Sequence, residues 1–112
     1  MSNNNYFTIT YKILSYLKHC YEQSKDVDPN ILNAGTFNIS EKQFIRTLKM
    51  LISEGYIEGV SVQETLDGYH ILSNLQKSSI TPKGLEYLAE NSMMKKMYKV
   101  LKEVKDWLPI IK

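Results

Sequence analysis

Lys42, Arg46, Lys49 and Ser53 recur at intervals of three and four residues, with Gln43 beside the first of them. On a helix turning about 100° per residue, the four spaced residues fall within about 60° of one another, opposite Phe44 and Leu48. Such an arc could meet a polyanion. Lys42 and Lys49 suit phosphate oxygens, Arg46 suits a bidentate contact to guanine, and Gln43 suits adenine. The same arc is also what any soluble helix needs to stay wet, and Glu41 and Glu54 flank it.

Residues for catalysis are sparse. His19 and Cys20 are adjacent, so on a helix they point about 100° apart and make a poor nucleophile-base pair. Cys20 reads as a core residue and His19 as solvent-facing. The chain shows no HExxH, no phosphate-cradling glycine loop and no close acidic ligand set, so we expect no enzyme, no metal site and no cofactor.

Elements that position the basic arc are marked by their caps. Ser40 followed by Gln43 is a capping box, and Gly55 supplies a stop, so a helix is expected from about Ser40 to Glu54 with Phe44, Ile45, Leu48, Leu51 and Ile52 buried. Before it, Ile9, Ile13, Tyr16, Leu17, Cys20 and Tyr21 share one side of a helix from Thr8 to about Ser24. Lys12, Ser15, His19 and Glu22 share the other. Residues 1–7 are expected to lie outside the fold. Between the two helices, Asp28, Pro29 and Gly35 predict a short helix.

After Gly55, "YIEGVSVQETLDGYHIL" is rich in β-branched and aromatic residues around Asp67-Gly68, the mark of a hairpin. Ile80 closes it, Thr81 caps a further helix and Pro82 takes its first position, where a missing N–H costs nothing. Gln63, Thr65, Tyr69, His70 and Lys77 are polar groups this hairpin could offer a ligand. Glu58, Glu64 and Asp67 make it net acidic, which works against tracking phosphates.

Ser92 is a further N-cap, and Met93 to Leu108 predict a last helix stopping before Pro109. Met94, Met97, Leu101, Val104 and Leu108 step by three and four along it, the spacing of a paired helical seam. The seam has two readings: packing on the first helix of the same chain, or joining two copies as a homodimer. Residues 92–112 carry six Lys against Glu103 and Asp106, a net +4, while the remainder is −2. That lysine face either extends a nucleic-acid footprint or solvates the helix.

The length of 112 residues, 43% hydrophobic and 23% charged, suits one domain with a modest core. No apolar run approaches the roughly 20 residues that cross a bilayer, and the start lacks a signal-peptide pattern. A single cysteine excludes an internal disulfide, so a cytoplasmic location is expected.

Helix, short helix, capped helix, hairpin, helix is the order of a winged helix-turn-helix domain. "NISEKQFIRTLKMLISEGYIEGV", "ITPKGLEYLAEN" and "YKVLKEVKDW" resemble the YjcQ-like family of small winged-helix proteins found in Firmicutes and their prophages. The resemblance covers roughly residues 37–107, with departures in a longer N-terminal region, "DPNILNAGTF" and an expanded "SNLQKSS". It implies an α+β winged-helix fold and, by analogy within that fold, a DNA-binding regulator. No small-molecule ligand is evident from the residues. The alternative is the same fold used as a protein-interaction module.

Overall fold

The computed structural model describes residues 5–91. Three helices and two small antiparallel sheets form an α+β fold. Helix α1 spans Tyr6–Gln23, two residues earlier than its apolar period indicates, because the Asn5 side chain accepts from Thr8 N–H at 2.9 Å and caps it there. Tyr6 and Phe7 therefore belong to the fold. At the other end Ser24 takes a left-handed conformation, and its N–H and that of Lys25 return to the carbonyls of the last turn.

α1 is a central helix. It packs against α2 (Glu41–Ser53), α3 (Pro82–Glu90) and β4 (Ser79–Ile80), so burial runs nearly around its circumference. Two expectations from its periodicity fail for that reason. Lys12, placed on the wet side, is only 7% exposed, and His19 is half-buried with its Nε2 shut off from solvent. Tyr21, placed on the apolar side, is 65% exposed, since the last turn of α1 runs past its neighbours into solvent with Glu22 and Gln23.

The predicted short helix at residues 28–35 is instead a run of turns. One helical turn starts, with the Asp28 carbonyl accepting from both Ile31 and Leu32 N–H at 2.9 Å. Asn33 then ends it. Its side-chain oxygen accepts from Thr36 N–H and its amide donates to the Pro29 carbonyl, taking partners a helix would supply from its backbone. The apolar residues that looked helical still go inward: Val27, Ile31, Leu32, Ala34 and Phe37 are buried, and Phe37 stacks on Phe44 of α2 at 6.2 Å. The Tyr16 hydroxyl, deep in α1, accepts from Asp28 N–H and fixes the start of this segment.

α2 begins where its capping box places it, with Ser40 Oγ accepting from Gln43 N–H at 3.0 Å. Phe44, Thr47, Leu48 and Leu51 form its buried side. The chain then enters a hairpin of two tiers. In the lower tier β1 (Ile57–Glu58) pairs with β4, setting Ile57 opposite Ile80, both buried. In the upper tier β2 (Ser61–Glu64) pairs with β3 (His70–Ser73), joined by a loop in which Thr65 and Tyr69 bond to each other and Gly68 takes positive φ.

Between the tiers, Gly59 and Val60 face the longer segment 74–78, which coils into a short 3-10 turn at Leu75–Lys77. Gly59 has φ of +88°, and a Cβ there would collide with the Lys77 carbonyl oxygen. Val27 N–H also reaches the Gln76 carbonyl, so the segment after α1 is tied to the junction of the tiers.

The exit is as the sequence indicates. Thr81 Oγ accepts from Gly84 N–H at 3.0 Å and donates to the Gly55 carbonyl, and Pro82 opens α3. Gly84 lets α3 press on β4 and on the residue before β1, since a Cβ would meet the Tyr56 carbonyl and the Ile80 side chain. Tyr56 and Tyr87 rings lie 4.9 Å apart, with the Lys83 ammonium 5.7 Å from the Tyr56 ring centre. The predicted last helix, with Met94, Met97, Leu101, Val104 and Leu108, lies outside the described residues.

Candidate functional site

The outer side of α2 forms a crest. Lys42, Arg46, Lys49 and Ser53 are all exposed along it, as their spacing indicates. None of the three cations is engaged in an ion pair among the described residues. Gln43 is placed differently. It is half-buried, turned about 100° from Lys42 toward α1, and the Thr47 hydroxyl donates to its carbonyl at 2.7 Å.

Two grooves run beside the crest, and Lys42 lines both. The groove on the α1 side is walled by Tyr6, Ser40, Gln43, Arg46, Thr47 and Met50. It has two cations and no carboxylate in its lining, with Tyr6 and the half-exposed Met50 as its apolar part. Burial holds the Tyr6 phenol above its usual pKa, against the lowering effect of its contact with Thr10 and with smaller support from Tyr56 and Glu54.

The groove on the hairpin side is walled by Glu41, Ile45, Gly68, Tyr69 and His70 with Lys42. Here Glu41 offsets Lys42. The volumes are close, about 410 and 380 Å³, so charge and not room separates the two flanks.

The other hairpin residues scatter. Gln63 is exposed on strand β2 across from Ile71, Thr65 is committed to its turn, and Lys77 sits at the tier junction beside Gly59. They form no common site with α2. At the tip, Leu66 is fully exposed, Tyr69 is 71% exposed and Ile71 is 49% exposed, bracketed by exposed Glu64 and Asp67.

Tyr6 and Met50 were not legible as site residues, though Met50 carried a signal: it is a large apolar side chain that the buried arc of α2 does not use. Cys20 is 4% exposed and burial pushes its thiol pKa up, which makes it a poor nucleophile. No group of three His, Cys, Asp or Glu able to hold a metal occurs among the described residues. No helix among them is long and apolar enough to cross a membrane.

The fold and site thus define a small α+β protein with a cation-bearing helix held between a central helix and an acidic hairpin. The family model described as YjcQ protein matches residues 11–107, and the chain belongs to that family. The uncharacterised protein YjcQ of Bacillus subtilis strain 168 is 35% identical over 77 residues, covering 69% of this chain and 78% of that protein. No solved structure matches the chain.

Proposed function

We propose that this chain is a winged-helix protein, a bacterial or prophage regulator of transcription in the cytoplasm, that binds double-stranded DNA through α2. The supporting observation is the crest. Three cations without ion-pair partners stand on the exposed side of a helix whose N-terminal half has open space on both flanks. In helix-turn-helix binding such a helix enters the major groove with its N-terminal residues toward the bases. Lys42 and Arg46 stand on its first two turns, within reach of base edges and the phosphates beside them, Lys49 and Ser53 lie further along toward the backbone, and Gln43 is set to the α1 side. A homodimer would offer two such helices to two half-sites.

Fluorescence anisotropy against a labelled random-sequence duplex tests this reading. With Lys42, Arg46 and Lys49 each neutralising one phosphate, affinity falls with a log-log salt slope of roughly −3, at about −0.9 per contact. A flat titration at low salt removes it.

A second reading, the same fold as a protein-interaction module, is favoured by the apolar hairpin tip at Leu66, Tyr69 and Ile71. It is separated from the first by which substitution costs binding: Arg46→Ala for duplex, or Leu66→Asp for a protein partner.

A further inference from the structure

We infer that this protein associates head to tail, the acidic apolar hairpin tip of one molecule seating in the cationic groove between α1 and α2 of a second copy. The inference stands on the two surfaces and does not need the DNA reading.

A fully exposed Leu66 beside a largely exposed Tyr69 and a half-exposed Ile71 does nothing for the fold. The core reaches the upper tier only through Leu72 of β3, and the loop is already closed by the Thr65 and Tyr69 bonds. Apolar side chains grouped on an ordered tip are characteristic of a contact surface. The charge around them narrows the partner. From Gln63 to Ile71 the tip carries Glu64 and Asp67 and no Lys or Arg, so a nucleic acid or an acidic protein is repelled. The partner must present apolar surface with cations beside it.

The groove on the α1 side of α2 has that composition. Tyr6 and Met50 give it apolar surface, Lys42 and Arg46 give it two cations, and no acid lines it. Seating the tip there sets Leu66 against Tyr6 and Met50, with Glu64 and Asp67 toward Lys42 and Arg46. One molecule cannot satisfy itself this way. Its own hairpin occupies the opposite flank, where Tyr69 and His70 face Glu41 and Ile45. A contact between this tip and this groove therefore needs two copies, and it is heterologous, using different surfaces on the two molecules.

Pairing complementary variants of the full chain tests this. Arg46→Glu spoils the groove and leaves the tip; Leu66→Asp spoils the tip and leaves the groove. Tethered Arg46→Glu chain is expected to capture Leu66→Asp chain about tenfold more tightly than either variant captures itself, with capture weakened by salt. Capture in the mixed pair also proves both variants folded. Equal capture in all pairings, as a symmetric interface elsewhere would give, overturns the inference. So does failure of wild-type chain to capture wild-type chain at low salt.

The DNA reading fails separately. Duplex binding retained by Leu66→Asp without mixed-pair capture removes only the head-to-tail contact. Mixed-pair capture without duplex binding by the wild type removes only the DNA reading. Where both hold, duplex competes for Arg46 and releases the captured chain.

Discussion

The two flanks of α2 are built to different standards. Toward α1 the helix meets a continuous core in which Ile13, Leu17, Phe44, Leu48 and Leu51 are essentially unexposed, and the groove above that core is cationic. Toward the hairpin it meets a two-stranded ribbon. The inner residues Val62 and Leu72 are only partly covered, and the outer ones are exposed. A two-stranded ribbon is marginal by itself. One flank therefore carries the stability of the fold, while the other is held in place by the first.

This difference can be broken from the strong side. Phe44→Ala removes a ring that is 1% exposed and stacked on Phe37, and is expected to cost about 3–5 kcal/mol in urea unfolding. A smaller loss would mean that the turn segment 28–38 collapses into the gap and that this flank is softer than the burial shows.

Alkaline pH probes the same flank through Tyr16, whose phenol is pushed up to about 12 by burial, against the opposing effect of the Asp28 N–H it accepts. The unfolded chain releases this proton near pH 10 and the folded chain later. The contribution is therefore whole below about pH 10 and declines as pH rises toward 12, by roughly 2–3 kcal/mol. Urea midpoints of Tyr16→Phe are expected to fall less steeply across that window than those of the wild type.

Gly59→Ala tests the joint between tiers. Positive φ and the collision with the Lys77 carbonyl predict a loss of about 1–3 kcal/mol. Amide exchange should quicken at Gln63 and Ile71 more than in α1. Uniform quickening would instead show that the hairpin and the core unfold as one.

Least is expected from Leu66→Asp, within about 0.5 kcal/mol of the wild type in stability, because the side chain buries nothing in the single chain. A larger loss would place the tip within the fold after all.

Legibility followed the same division. The crest could be read because spacing alone decides which residues of a capped helix share a side. Ser40, Thr81 and Pro82 act through local hydrogen bonds or fixed φ, so their roles were also visible. Burial around α1 was not, since a helix enclosed by three partners no longer sorts Lys12 from Ile13 by polarity. Residues 28–35 failed because Asp28-Pro29 begins a helix while the Asn33 side chain replaces the backbone that would continue it. Gly59 did carry a sign, being a lone glycine inside a strand pattern, which marks a bulge or a close backbone approach. What it met there, Lys77, lies 18 residues on, and only the folded chain brings them together.

The division of the hairpin at Gly59 and segment 74–78 also bears on how such a chain can diverge. The lower tier, with Ile57 against Ile80, closes most of the core, and the upper tier adds to it through Leu72 on the inner side of the ribbon. Residues 63–71, beyond the last inner pair of Val62 and Leu72, can accordingly lengthen, shorten or change charge in paired steps while folding proceeds unchanged beneath them. The hairpin tip is a place where relatives can acquire new partners without renegotiating the architecture that carries it.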